Sequence, residues 1–400
     1  MKAAAIICEY NPFHNGHLLQ IEKIKSAFPK KPIVAVMSGN FVQRGDVAVA
    51  EKFTRAETAI RNGVNLVLEL PFPYSIFSAE LFAEGAISIM NSVGFVDTLV
   101  CGAEDNDVEL LSKIADVILD DAFGLEVEEV IKEDRSLSYP SARQKALEKK
   151  INNSADILKG ANNILAIEYI KAIKKLKSAI VPIVLKRDTV LHDSMNPNED
   201  IASATYIREL IRNGEYENAS KYIPKSGYDL LLFDMNNGSF PRDIQRIEKS
   251  ILAFFRLTDE ETLQRYYLVD FSLASAIVKN APKCNTFSQL LNTLKNKHIT
   301  MAKLRRVLLG AYLGVLKEDA KSLPPYTNLL AADSVGCELL KCADSFFPIF
   351  SKYSLALNNK NSQIASMAKL QNKAESIFQM CAPKLQDGNK FIKTSPKIFK

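Results

Sequence analysis

Short apolar runs at residues 3–7, 33–37, 65–70 and 97–101 alternate with stretches of helical periodicity at 17–27, 53–62 and 78–91. Runs this short, separated by longer amphipathic stretches, predict parallel strands, because a parallel pair needs a crossover of a dozen or more residues. Another apolar run at 179–185 predicts a fifth strand. The expected class is α/β with a parallel open sheet, in which ligands bind beyond the carboxyl ends of the strands. The polar segments fall at those ends: EYNPFHNGH after the first run, SGNFVQRGD after the second, ELPF closing the third, CGAED after the fourth and KRD after the fifth.

The first of these is the most informative. Asn11-Pro12 ends the strand, since a residue before proline is held extended. His14 and His17 then flank Gly16, and helical spacing runs through Leu18, Leu19, Ile21, Ile24 and Ala27. The imidazoles therefore stand at a helix start, where backbone N–H groups and the dipole attract anions. Glycine lets a phosphate approach the backbone, and two imidazoles can stabilise charge on a leaving pyrophosphate. The chain has only 4 histidines, so two of them three residues apart outweigh the reading of isolated caps. Other strand-end residues are open to two readings. Residues 38–45 are a turn with a surface charge at Arg44, or one wall of a cleft. Gly102 is a plain turn, or a place where a ligand passes close. GANN at 160–163 is a helix start with Asn162 the better cap, or an asparagine reaching a nucleotide. Arg187 can pair with phosphate or carboxylate, or make a surface ion pair. Downstream, IASATYIR opens a helix that Ser203 can cap, and the hydroxyls of Ser203 and Thr205 with Arg208 one turn on suit phosphates.

The motif His14-Asn15-Gly16-His17 resembles that of the HxGH nucleotidyltransferase superfamily and class I aminoacyl-tRNA synthetases, and a second phosphate motif after the last sheet strand strengthens the likeness. The segments AVMSGNFVQRGD, LVLELPFPYS, CGAED, KGANNILAIEY, VLKRD and IASATYIREL, in this order, resemble the bacterial tRNA(Met) cytidine acetate ligase family. The resemblance spans about residues 1–215 and continues weakly beyond. It implies a Rossmann-like nucleotidyltransferase domain and an enzyme that makes acetyl-adenylate and pyrophosphate from ATP and acetate. The acetyl group then passes to the exocyclic amine of the wobble cytidine of elongator tRNA(Met), giving N4-acetylcytidine. His14 and His17 carry over as catalytic. ATP binding carries over onto Ile7, Cys8, Glu9, Tyr10, Asn11, Pro12 and Phe13, onto His14, Asn15, Gly16, His17, Leu18, Leu19 and Gln20, and onto Gly102, Asn162 and Arg187. Between Asn162 and Asn163 the sequence does not decide. Magnesium is expected with the nucleotide, borrowing its phosphates as ligands, and no residue is assigned to a resident metal.

Residues 104–134 are acidic with helical spacing, which reads as a solvated face and a poor surface for nucleic acid. Beyond residue 216 the pattern is mainly helical. The chain is therefore expected to divide into a catalytic domain at 1–215 and an α-helical, tRNA-binding domain at 216–400. Within the latter, LKNKHITMAKLRRVLLGAYLGVL carries Lys295, Lys297, His298, Lys303, Arg305 and Arg306 without an acid, with Thr300 as its expected N-cap. Lys295, Lys297, Lys303, Arg305 and Arg306 are the candidates for tRNA contact; a solvated charged face is the competing reading. A net charge of +5 is modest, so distribution matters more than sum. The 6 cysteines form no CxxC pair, so free thiols are expected and structural zinc is not. No run approaches the ~20 apolar residues of a membrane span, and the first residues lack the longer apolar core of a signal peptide. The expectation is a cytoplasmic protein without membrane contact, its oligomeric state open. Two rival functions remain. One is a small-molecule nucleotidyltransferase of the same fold, which needs neither tRNA nor a basic helix. The other is a non-catalytic ATP- and RNA-binding module, against which the intact His14, His17, Ser203, Thr205 and Arg208 weigh.

Overall fold

The structure, a computed structural model, describes residues 1–152, 154, 156–186, 200–297 and 299–400. The strands in chain order are β1 (Ala3–Cys8), β2 (Ile33–Ser38), β3 (Phe41–Val42), β4 (Asp46–Val47), β5 (Leu66–Leu70), β6 (Val96–Ala103), β7 (Val181–Lys186), β8 (Thr327–Ala332), β9 (Ile349–Phe350) and β10 (Lys397–Ile398). The main sheet runs β10-β8-β5-β2-β1-β6-β7, with β9 beside β8, while β3 and β4 form a separate two-stranded hairpin. All five strands expected from sequence are present and mutually parallel. β1 lies in the middle, flanked by β2 and β6. It is buried along nearly its whole length, and so reads as a continuous apolar run instead of an alternating one.

Helices cover the sheet. Ala79–Ser92 and Val108–Leu119 both pack on Ala161–Lys175, and Lys52–Arg61 packs on Lys225–Asn236 and β8. One large core spans the chain from β1 to Phe391. A smaller core, including Val49, Ala50, Ile207, Leu210, Tyr222 and Leu231, seats helix Ala204–Arg212 against the loop after β2.

The later part is mainly helical, as its periodicity predicts, but it also returns strands to the sheet. Residues 327–332 form β8, antiparallel to β5, with β10 parallel to β8 on its other side. Six consecutive buried residues leave no alternation from which a strand could be read. Asn65 anchors the junction: its Oδ1 accepts from Ile33 N–H at 2.8 Å, its Nδ2 donates to Asp333 at 2.8 Å, and its carbonyl accepts from Asp333 N–H at 3.0 Å. The six cysteines carry no disulfide. Among the described residues no helix is long and apolar enough to cross a membrane.

Candidate active site

β1 ends at Cys8, and Glu9 to Phe13 carry the chain over the sheet's carboxyl edge to helix Asn15–Ala27. Tyr10 takes a left-handed backbone, φ 49°, and Asn11-Pro12 is cis. His14 is the N-cap, so the helix begins slightly earlier than its apolar spacing predicts. The two imidazoles are tied into that turn reciprocally. His14 Nδ1 accepts from Gly16 N–H at 3.1 Å, and His17 Nδ1 accepts from His14 N–H at 3.2 Å. In the neutral ring, an accepting Nδ1 places the proton on Nε2, so each imidazole keeps Nε2–H as its donor. The rings stack 3.7 Å apart, and Tyr10 and Phe13 pack against His17 with centroids at 4.9 and 5.6 Å. A side chain at Gly16 would strike the His14 ring, with Cβ only 2.9 Å from Cε1. Ile7 and Cys8 lie at the strand end, where burial pushes the Cys8 thiol up and leaves it a poor nucleophile. Leu18, Leu19 and Gln20 are half-buried in the first helical turns.

The helix start at IASATYIR lies against the histidine turn. Ser203 caps helix Ala204–Arg212, as expected, accepting from Tyr206 N–H at 3.1 Å. Arg208 reaches back to donate from Nη1 to the Asn11 carbonyl at 2.8 Å and from Nη2 to Thr205 Oγ1 at 3.0 Å. Asn15 closes the other side, donating from Nδ2 to the carbonyls of Asp200 at 2.9 Å and Lys221 at 3.1 Å.

The loop after β2 forms a wall of the same edge, which its composition alone leaves undecided. Gln43 N–H donates to Glu9 Oε1 at 2.7 Å, and Val49 N–H to Asn11 Oδ1 at 2.7 Å. Desolvation pushes the Glu9 carboxyl up, opposed by the Gln43 N–H and by the charges of Arg208, Arg44 and Arg55. Sequence reasoning missed Arg55. It is buried, and its guanidinium gathers four carbonyls: Ala50 at 3.0 Å, Glu9 at 2.5 Å, Ser38 at 3.2 Å and Gly39 at 2.5 Å. Burial lowers its pKa to about 10, while Glu9 and more distant carboxylates counter that loss. Its fixed fork thus holds the ends of β1 and β2 in one geometry.

On the far side, Gly102 lies near the end of β6, paired with Leu185. Helix Ala161–Lys175 begins beside it. The N-cap residue is Gly160, not Asn162, and the capping group comes from Glu104. Its carboxylate accepts from Asn162 N–H at 3.3 Å, Asn162 Nδ2 at 2.7 Å and Asn163 N–H at 2.8 Å. Asn163 uses both ends of its amide inside the chain, accepting from Asp105 N–H and donating to the Ile157 carbonyl. Arg187 lies outside the described residues.

The basic helix reaches the same rim. Thr300 caps Met301–Leu313 as expected. Lys295, Lys297, Lys303 and Arg305 are exposed, whereas Arg306 is half-buried and donates from Nη1 to the Gln43 carbonyl at 3.4 Å. Gly45 makes this approach possible. It has φ 73°, and a Cβ there would lie 2.5 Å from Arg306 N and 2.7 Å from Arg305 C. Arg212 pairs with Asp46 at 3.2 Å, and Arg208 and Arg305 add positive charge around that carboxylate, opposing the upward push of its burial.

Behind the edge lies a buried ionic cluster, of which the sequence marks only Glu69, in the ELPF segment that closes the third strand. Lys52 Nζ sits 2.7 Å from Glu69 Oε1 and 2.8 Å from Glu375 Oε1, above the Phe391 ring. Glu69 Oε2 accepts from Asn328 Nδ2 at 2.8 Å, and Glu375 Oε2 from Asn40 Nδ2 at 2.7 Å.

Comparison with known proteins gives the family. Residues 1–391 match the family described as HIGH Nucleotidyl Transferase. A protein of Acetivibrio thermocellus named tRNA(Met) cytidine acetate ligase is 32% identical over 397 residues, covering 95% of each chain. The crystal structure of Thermotoga maritima TmcAL in its apo form I superposes with a TM-score of 0.94 at 29% identity over 100% of both chains. The form II structure of that protein bound with alpha-thio ATP superposes with a TM-score of 0.90 at 29% identity, again over 100% of both. The chain belongs to the HIGH nucleotidyl transferase family and, within it, to the proteins named tRNA(Met) cytidine acetate ligase.

Proposed function

We propose that this protein is an ATP-dependent ligase that activates acetate as acetyl-adenylate and transfers the acetyl group to the exocyclic amine of the wobble cytidine of elongator tRNA(Met). The observation that carries this reading is the stacked His14/His17 pair joined through Asn11 to Arg208. Two anion-binding helix starts are thereby held as one unit at the sheet edge.

In the first step a carboxylate oxygen of acetate attacks the α-phosphorus, and the bond to the bridging oxygen of the β-phosphate breaks. The Nε2–H donors of His14 and His17, the N–H groups of the helix start and Arg208 stabilise charge on the departing pyrophosphate. Magnesium accompanying the nucleotide would add to that neutralisation. In the second step the cytidine amine attacks the acetyl carbonyl, AMP leaves and the amine loses a proton. The base must be splayed out of its stack to reach the edge. Ile7 to Gln20, Gly102, Asn162 and Arg187 form the nucleotide site.

Residues 1–215 carry the ATP chemistry in this reading. Residues 216–400 present tRNA through Lys295, Lys297, Lys303 and Arg305, with Arg306 at the seam. The work is cytoplasmic, where tRNA pools and ATP meet. Incubation with ATP, labelled acetate and bulk tRNA, followed by nucleoside analysis, tests the reading. Labelled N4-acetylcytidine is expected, and an adenylylated small molecule with no RNA label would transfer the assignment to a small-molecule nucleotidyltransferase.

A further inference from the structure

Asn40 stands at the base of the loop that lies against Glu9 and Asn11. Its carbonyl accepts from Ala48 N–H at 2.9 Å, closing the loop, and its Oδ1 accepts from Lys52 N–H at 2.8 Å. Its remaining donor goes to Glu375, a residue of helix Ser362–Gln379 and 335 positions away. Glu375 is buried and holds Lys52 Nζ with its other oxygen. Lys52 in turn binds Glu69 at the end of β5, which Asn328 of β8 also holds. Two buried carboxylates thus face Lys52, with the buried Arg55 guanidinium as a further positive charge nearby. Removing one partner from such a cluster leaves an uncompensated buried group, so its geometry is all or none. The loop it fixes carries Gln43 and Val49, whose N–H groups position Glu9 and Asn11 directly before the histidine turn.

We propose that Glu375 is a positioning residue of the ATP site. Acting through Asn40, it sets the loop after β2, and with it the entry to the His14–His17 turn. The late helical segment therefore serves acetate activation as well as RNA. This inference rests on the ligase reading above.

The amide and carboxylate polarity of the pair supplies the test. In Glu375→Gln, the new amide faces the Asn40 amide donor to donor, and the hydrogen bond is broken with little change of volume. In the double variant Asn40→Asp/Glu375→Gln, the bond is restored with its direction reversed and the cluster keeps its net charge, the carboxylate at 40 accepting from Lys52 N–H while Glu69 still faces Lys52 Nζ. Acetate-dependent pyrophosphate release without tRNA, ATP affinity by calorimetry and thermal midpoint are measured for each. Glu375→Gln is expected to lose about tenfold to a hundredfold in kcat, as for a misplaced reacting group, and the double variant to recover most of it. Wild-type kcat, KM and ATP affinity in Glu375→Gln, with only the midpoint lowered, would show a merely structural residue and overturn the proposal. So would a double variant that regains its midpoint but not kcat. If the wild type releases no pyrophosphate with acetate, the ligase reading fails instead. The coupling is then read from ATP affinity, which Glu375→Gln must weaken and the double variant restore.

Discussion

Asn11 and Arg208, 197 positions apart, are joined by a 2.8 Å hydrogen bond from the guanidinium to the peptide carbonyl. That bond ties together the two helix starts proposed to bind phosphate. Lysine at 208 can keep one partner but cannot serve Asn11 and Thr205 together. Arg208→Lys is therefore expected to lower kcat/KM for ATP about tenfold to a hundredfold. Steady-state pyrophosphate release over a range of ATP concentrations checks this, and an unchanged value would remove Arg208 from the site.

The two histidines can be separated from the stability of their helix. Asparagine is among the best N-caps, so His14→Asn keeps the cap while removing the imidazole donor. His17→Ala removes the reciprocal bond to His14 N–H as well as a donor. Both are expected to lose about 10²- to 10³-fold in kcat for adenylate formation, the usual scale for a donor aimed at developing charge. The thermal midpoint of His14→Asn should stay at the wild-type value. Activity that falls only in step with the midpoint would make the pair structural.

Exposure divides the basic helix. Neutralising Lys303 and Arg305 to Gln should weaken tRNA binding and flatten its dependence on log salt by about 0.7–0.9 for each RNA phosphate left without its cation. Pyrophosphate release without tRNA should be unaffected by that pair. Arg306→Gln, at the Gln43 carbonyl, should instead disturb the loop and slow adenylate formation. Filter binding at several salt concentrations, alongside the ATP half-reaction, distinguishes the two.

Glu104 gives an acid-side signature. Desolvation pushes its carboxyl up, but the Asn162 side chain and the backbone N–H groups of Asn163 and Asn162 outweigh that and hold it below its ordinary 4.5. A carboxyl depressed in the folded state contributes stability that is whole above the unfolded pKa and is lost as pH falls through the folded value. Glu104→Gln lacks this titration. The wild type should therefore exceed Glu104→Gln in thermal midpoint at about pH 6, and the gap should close by about pH 3. A gap independent of pH would rule out the carboxylate cap.

Residues 1–215 alone should not give a folded nucleotide-binding domain, although their sequence carries both segments proposed to bind phosphate. Without β8, strand β5 would end the sheet with unpaired, fully buried-type residues, a template for aggregation. Expression of 1–215 should yield insoluble protein, and a monomeric, ATP-binding fragment would refute this.

Local signals are readable in the sequence and nonlocal ones are not. The parallel strands, the histidine turn, and the Ser203 and Thr300 caps each rest on a few adjacent residues, and periodicity or turn chemistry exposes them. β8 is hidden because Thr327 to Ala332 are buried on both faces, and Leu and Ala sit as easily in a helix. The sequence favours Asn162 as the cap of Ala161–Lys175 because a neighbour is the usual capping acceptor, whereas Glu104 arrives from 58 positions away. Arg55, Lys52 and Glu375 look like solvated charges in sequence, since only the fold places Glu375 against Asn40 and Lys52.

Strand β5 waits for β8, and Asn40 waits for Glu375, yet both partners leave the ribosome long after the histidine turn does. A nascent chain can display the histidine turn and the Ser203 helix start while its sheet is still missing a neighbour. The rim where the histidine turn meets the Ser203 helix start is thereby completed only once residues 327–375 have been synthesised.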